Sequence, residues 1–111
     1  MYPPTTPEIT VQELKTMMDE EQTPFILDVR EEREYAVANL SGTLIPLQQL
    51  PYRLDELEAH KDDLIVVHCR SGGRSAQAVN FMRSRGFEKA KNLRGGVLAW
   101  SREIDPSMPT Y

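Results

Sequence analysis

Hydrophobic and polar positions follow two kinds of pattern along the chain. Short apolar runs rich in branched residues occur at 24–29 and 63–69, and such runs are typical of buried parallel strands. Shorter apolar runs predict two further strands, at 42–47 and 90–93. Because these runs alternate with helical patterns, they predict an α/β fold in which a parallel sheet has helices on both faces.

The helical patterns place apolar residues three or four positions apart. They predict helices or helical turns at 10–20, 54–60, 74–85 and 95–104. Thr10 and Glu13 have the spacing of a capping box at the start of the first helix. Gly86 stands where the third segment should end, and Pro106 prevents extension of the last one.

The length of 111 residues allows one domain with a substantial core and is too short for two. Residues 1–7 contain three prolines, so we expect a disordered tail or linker there, followed by a single domain at 8–111. No apolar run approaches the roughly 20 residues of a membrane span, and the N-terminus lacks the pattern of a secretory signal. We therefore expect a cytoplasmic protein that does not bind membranes.

Charge is distributed unevenly. Residues 1–63 carry 5 basic and 14 acidic side chains, whereas residues 64–111 carry 8 basic and 3 acidic ones. This asymmetry predicts a local positive field in the second part of the chain. Nucleic acid is not an expected partner, because the overall pI is about 5.2 and no aromatic residues interleave with the basic ones.

The only cysteine, Cys69, ends the strand predicted at 63–69. A single cysteine cannot form an internal disulfide, and together with two histidines it supplies no spaced set of zinc ligands, so we expect a reduced chain without metal. His68 should point to the opposite face of the strand and be packed or hydrogen-bonded there. His60 is expected on an exposed turn, also without a catalytic role.

The residues after Cys69 are suited to stabilising an anion. A thiol is nucleophilic as thiolate, and an ordinary pKa of about 8.5 keeps it mostly protonated at neutral pH. Arg70 and Arg74 supply cations. Gly72 and Gly73 allow loop amides to turn inward, at the positive end of the helix that starts near Gly73. In α/β folds with a parallel sheet, ligands bind beyond the carboxyl ends of the strands, where Cys69 lies. The loop lacks the lysine of a nucleotide-binding loop, which excludes an ATP site.

The stretch CRSGGRS, at 69–75, resembles the active-site loop of rhodanese-homology domains. LDVREEREY at 27–35, SGTLIPL at 41–47 and NLRGGVLAW at 92–100 agree with that family in the same order, so the resemblance spans about 8–104. It implies a rhodanese-like three-layer fold, with a central, mostly parallel sheet of about five short strands. The C-terminal stretch SREIDPSMPTY, at 101–111, and LIPLQQLPYRLDEL, at 44–57, are most similar to the rhodanese-like domain at the end of enzymes that adenylylate sulfur-carrier proteins in molybdopterin and thiamine pathways.

The resemblance implies a sulfurtransferase. Cys69 would attack the outer sulfur of a small anionic donor such as thiosulfate, or of a persulfide, and carry that sulfur as its own persulfide without any cofactor. Because no second cysteine is present, an external acceptor is required, such as a thiol, cyanide or a sulfur-carrier protein. An adenylyltransferase domain is a further candidate partner, and we expect a monomer.

The residues implied for donor binding follow the nucleophile directly. They are Arg70, Ser71, Gly72, Gly73, Arg74 and Ser75. Arg70 is expected to contact the anion at an exposed pocket rim, whereas Arg74 either orients the loop or binds donor oxygens. Gly95, Gly96 and Trp100 are expected to pack the last helix rather than touch substrate.

Three residues of the LDVREEREY motif are weaker candidates for supporting roles, namely Asp28, Arg30 and Arg33. A structural salt bridge between Asp28 and Arg30 is as compatible with the sequence as a catalytic role. Arg33 is a candidate for lining the pocket. The stretch VANLSG departs from the family's usual Gly-His-Ile-Pro-Gly turn, so the shape of that turn is not predicted.

Two other functions fit parts of the pattern. A phosphatase or arsenate reductase would also wrap a cysteine loop around an oxyanion, but those loops place five residues between cysteine and arginine, whereas four separate Cys69 from Arg74. A non-catalytic docking module is the second alternative, although such modules usually lack the cysteine.

Overall fold

Five parallel strands form the central sheet of the protein, in a computed structural model that describes residues 6–111. They are β1 (Glu8–Ile9), β2 (Phe25–Asp28), β3 (Thr43–Leu44), β4 (Ile65–His68) and β5 (Ala90–Leu93). Their order across the sheet is β1-β5-β4-β2-β3, and every pair is parallel. The predicted α/β sheet of about five short strands is therefore confirmed, and β4 lies at its centre.

Helices connect the strands. They are α1 (Val11–Asp19), α2 (Glu32–Val37), α3 (Leu50–Arg53), α4 (Gly73–Ser84) and α5 (Gly96–Glu103), with 3₁₀ turns at Leu47–Gln49 and Leu54–His60. The capping box predicted at Thr10 and Glu13 is present at the start of α1. Among the described residues, no helix combines the length and the apolar character that crossing a membrane requires.

The two faces of the sheet build separate cores, because successive side chains of a strand point in opposite directions. Ile26 and Val66 pack with α1 and α5 in one core, and Trp100 lies in the same core. Leu27 and Val67 pack on the other face, in the core that includes residues of α3 and α4. The three-layer arrangement follows from this alternation, and the carboxyl ends of β2, β4 and β5 are left free to carry a site.

Thr6 and Pro7 contact the domain, although the sequence places them in a disordered tail or linker before residue 8. Thr6 is buried and its hydroxyl donates to Asn80. The carbonyl of Pro7 accepts a hydrogen bond from the backbone N–H of Asn92, which continues the pairing of β1 with β5. Residues 1–5 of the predicted tail lie outside the described residues.

Two segments beside the sheet differ from the elements that the sequence predicted: α2 was not assigned, and the strand at 42–47 is shorter than expected. Helix α2 begins at Glu32 and has its own capping box, in which Glu31 and Glu34 exchange hydrogen bonds with each other's backbone. The predicted strand at 42–47 is paired only over Thr43–Leu44, because Pro46 then starts a 3₁₀ turn. Helix α2 comes after β2 and the 3₁₀ turn comes after β3, so both lie beside the carboxyl edge of the sheet.

Candidate active site

Cys69 is the first residue after β4, and the loop that follows it folds around its sulfur. The Gly72 amide lies 3.1 Å from Sγ, the Ser75 amide 3.4 Å and the Ser75 hydroxyl 3.3 Å, all oriented to donate. Gly72 has a φ of +112°, which turns the chain at this point into α4. The side chain is enclosed, with Cys69 only 1% exposed, and the donors face it.

These donors determine the ionisation of the thiol. Burial alone would raise the pKa of Cys69, because it disfavours the charged form. The hydrogen bonds from the Ser75 hydroxyl and from the amides of Ser75, Gly72 and Ser71 outweigh burial, so the pKa is lower than the ordinary value. The thiolate is thus favoured mainly by hydrogen bonds at the start of α4, whereas the sequence also suggested the two arginines.

The Ser75 hydroxyl has a second neighbour, Asn92 on β5. The hydroxyl oxygen of Ser75 lies 2.5 Å from Asn92 Oδ1, while Asn92 Nδ2 donates to the Gly72 carbonyl at 3.2 Å. A hydroxyl has one proton, so Ser75 donates either to Asn92 or to Cys69, and an ionised sulfur is the stronger acceptor. Asn92 is fully buried and ties the loop to the neighbouring strand.

A Ser75→Ala variant is expected to raise the pKa of the Cys69 thiol, because the thiolate loses a charge-assisted hydrogen bond. The pH profile of iodoacetamide alkylation measures this pKa, and its midpoint should move to higher pH. Ser84→Ala is the control, since Ser84 lies at the far end of the same helix and is exposed. An unchanged midpoint in Ser75→Ala would contradict the assigned role of the hydroxyl.

Arg74 does not face the thiol with a free guanidinium. Its two terminal nitrogens donate to the two carboxylate oxygens of Glu34, each at 2.8 Å, and so join α4 to α2. The hydrogen bonds from Arg74 lower the pKa of Glu34 to about 2. Of the two roles the sequence left open for Arg74, this pairing favours orientation of the loop.

Asp28 and Arg30 form a fully buried ion pair at the end of β2. Arg30 Nη2 lies 2.7 Å from Asp28 Oδ2, and the same nitrogen donates to the carbonyl of Ala38 at 2.7 Å. His68 is also fully buried, and neither of its ring nitrogens has a hydrogen-bond partner among the described residues. Burial lowers the pKa of His68, so the ring is neutral at pH 7. Of the two environments expected for His68, it has the packed one.

A pocket of about 380 Å³ opens at the carboxyl edge of the sheet. It is lined by Arg33, Glu34, Val37, Arg70 and Tyr111. Arg70 is half-buried, and Arg33 is exposed. The structure therefore places both arginines on this pocket, next to the loop that encloses Cys69.

Three residues of the site were not identified from the sequence: Glu34, Asn92 and Tyr111. Glu34 is one of several acidic residues in the LDVREEREY motif, and nothing in that pattern distinguishes the one that pairs with Arg74. Asn92 opens the NLRGG motif, which offered a signal only as part of a strand. Tyr111 lies in the C-terminal stretch, where no periodicity connects it to the loop.

A lone thiol directly after the central strand of a parallel sheet, held by loop amides at a helix N-terminus, defines an α/β domain with a cysteine-containing active-site loop. The family model of the rhodanese-like domain matches residues 10–103. The chain therefore belongs to the rhodanese-like domain family, and the resemblance deduced from its motifs is confirmed.

Relatives support this assignment. The chain is 37% identical over 114 residues to "Adenylyltransferase and sulfurtransferase MOCS3-1" of Zea mays, an alignment that covers 97% of this chain and 24% of the relative. The chain thus spans about a quarter of that protein's length. It is 32% identical to a "Sulfurtransferase" of Allochromatium vinosum, with 86% of this chain and 88% of the relative covered. The solved structure of human single-domain sulfurtransferase TSTD1 superposes with a TM-score of 0.76 at 25% identity, over 88% of this chain and 97% of that one.

Proposed function

We propose that the protein transfers sulfane sulfur from thiosulfate, or from a persulfide donor, to a thiophilic acceptor through a persulfide on Cys69. The observation that carries the proposal is the set of three donors, from Gly72 and Ser75, that point at Cys69 Sγ. The same donors suit a thiolate before the reaction and a persulfide anion during it, because both place negative charge on sulfur.

The reaction has two displacement steps. In the first, the Cys69 thiolate attacks the outer sulfur of thiosulfate, a new sulfur–sulfur bond forms, and the old bond breaks as sulfite leaves with its electron pair. In the second, a nucleophilic acceptor attacks the outer sulfur of the persulfide, and the Cys69 thiolate leaves with the electron pair. The sulfur is carried covalently throughout, so the cycle needs no cofactor.

The acceptor and the cellular setting extend this proposal. Relatives named as adenylyltransferase and sulfurtransferase combine two activities, and this chain spans about a quarter of one of them. An adenylyltransferase domain and a sulfur-carrier protein are therefore the proposed partners, in the cytoplasm, with cyanide or a small thiol as the acceptor in an assay.

A phosphatase activity is less well supported. Four residues separate Cys69 from Arg74, one fewer than in phosphatase loops, and Arg74 uses both terminal nitrogens on Glu34. A phosphoryl group would need that guanidinium for its own oxygens. The smaller ring of donors around Cys69 favours a single sulfur atom.

The function is tested by incubating the protein with thiosulfate and measuring its intact mass. We expect one added sulfur atom on Cys69, removed by cyanide with formation of thiocyanate. An aryl phosphate serves as the comparison substrate. Hydrolysis of the aryl phosphate without sulfur addition would favour the phosphatase alternative, and neither reaction would favour a docking module.

A further inference from the structure

The C-terminal stretch of the chain returns to the site after α5. The Ser101 hydroxyl, on α5, donates to the carbonyl of Met108 at 3.0 Å. Ile104 and Met108 pack against the core on the α1 and α5 side of the sheet. These contacts hold the backbone on both sides of Asp105, so residues 109–111 leave a fixed point and extend across the carboxyl edge of the sheet.

Tyr111 is bound there by two arginines. Its hydroxyl accepts a hydrogen bond from Arg30 Nη1 at 2.7 Å. Its ring centroid lies 5.8 Å from the guanidinium carbon of Arg30 and 5.3 Å from that of Arg70. Its main-chain oxygen accepts from Arg70 Nε at 2.7 Å and also from Arg70 Nη2. The ring, hydroxyl and backbone of one residue are thus all engaged at the rim of the pocket.

The contact between Tyr111 and Arg70 affects anion binding, because it engages two nitrogens on one edge of the Arg70 guanidinium. Nε and Nη2 form the edge of a guanidinium that binds two oxygens of an anion side by side. Both donate to Tyr111, so this edge is occupied. Cys69 lies directly before Arg70 in the chain and is only 1% exposed. An oxyanion that approaches the thiol past Arg70 therefore meets Tyr111 first.

We propose that Tyr111 is a specificity-determining residue, which competes with small oxyanion donors for Arg70 and so disfavours them relative to uncharged reactants at Cys69. This inference rests on the proposed function for its meaning in sulfur transfer. The competition is intramolecular, so it reduces the apparent affinity for an oxyanion by the fraction of molecules in which Arg70 is free. It leaves the thiol and its hydrogen-bond donors unchanged.

Alkylation of Cys69 tests the proposal without requiring sulfur transfer, since iodoacetate is anionic and iodoacetamide is neutral. Tyr111→Ala removes the ring and hydroxyl that hold the main-chain oxygen at Arg70. Iodoacetate should then react about tenfold faster, the equivalent of one hydrogen bond to a charged group, while iodoacetamide gains about twofold. For thiosulfate, KM should fall by about the same tenfold with little change in kcat. Tyr52→Ala is the control, because Tyr52 is 85% exposed and takes no part in these contacts.

Two further variants make the test decisive. Because Tyr111→Ala keeps the main-chain oxygen, a chain shortened by residues 110–111 removes the competitor itself and should show at least as large a preference for iodoacetate. In Arg70→Ala, removing Tyr111 as well should no longer favour iodoacetate, because the two residues act as one unit. Equal acceleration of both reagents, or no acceleration in the shortened chain, would overturn the proposal. Faster iodoacetate alkylation without any persulfide would support it while refuting the proposed function.

Discussion

Replacement of Cys69 by serine is expected to reduce sulfur transfer from thiosulfate to cyanide by on the order of 10³-fold or more. The side chain of serine is only slightly smaller than that of cysteine, and its hydroxyl can accept the same hydrogen bonds from the amides of Gly72 and Ser75. A hydroxyl, however, is scarcely ionised at neutral pH and cannot take sulfur in a displacement that leaves a persulfide. The rate of thiocyanate formation measures the loss.

The fold should survive this change, because the serine fills the same enclosed space. Urea denaturation of Cys69→Ser should therefore give a free energy of unfolding close to that of the parent protein. Since Cys69 is the only cysteine, the variant should also show no mass increase with iodoacetamide. Retention of a tenth or more of the parent's activity would exclude a persulfide mechanism at this position.

Substitution of Gly96 by alanine is expected to destabilise the protein by about 3 kcal/mol or more and to disturb the thiol loop. A β-carbon at this position would lie 2.4 Å from the Cys69 carbonyl oxygen and 2.6 Å from that of Arg70. Both obstructing atoms are backbone, so neither can move without displacing the loop. Gly96 also has a φ of +58°, which is strained for a residue with a side chain.

The close approach of α5 to the backbone of Cys69 and Arg70 stabilises the loop around the thiol. The Val97 amide donates to the Cys69 carbonyl and the Leu98 amide to the Arg70 carbonyl, both at 3.1 Å, so the start of α5 holds the loop from behind. Displacing α5 would loosen the amides around the sulfur. In Gly96→Ala we therefore also expect the pKa of the thiol to rise toward its ordinary value.

Gly73→Ala provides the matched comparison, because Gly73 is likewise the first residue of a helix beside Cys69 and a β-carbon there meets nothing within 4 Å. Its effect on the free energy of unfolding should stay within about 0.5 kcal/mol. Urea denaturation of both variants gives the difference. A loss below 1 kcal/mol in Gly96→Ala would mean that the loop yields easily, against the tight contact described here.

Sequence patterns predicted the parts of this molecule that depend on local chemistry. Branched apolar residues identified β2 and β4, since burial on both faces leaves few other residue types possible. Cys69 was predicted at the end of a strand because the apolar run at 63–69 ends there, and it was predicted to be functional because arginines and glycines follow it directly. The class of fold and the chemistry of the loop therefore depend on local sequence features.

The remaining residues of the site are determined by tertiary contacts that leave no periodic signal. Glu34 matters because α2 is placed opposite α4, and α2 is too short and polar to be predicted from its pattern. Asn92 is buried among apolar residues of β5, so the sequence pattern identifies it only as part of a strand. Its side-chain amide reaches the Gly72 carbonyl only because β5 pairs with β4. The hydrogen bond between Arg30 and Tyr111 joins residues that are 81 positions apart in the sequence, so no local pattern connects them.

The central place of β4 has a consequence for how this site can diversify. A strand with neighbours on both edges opens only when most of the sheet opens, so the position of Cys69 is tied to global stability. Apart from Arg70, the residues that line the pocket come from α2 and the C-terminal stretch, which lie outside the sheet. Substitutions at the exposed Arg33 and Val37 are therefore expected to cost little stability, so the surroundings of the nucleophile can change while its position does not.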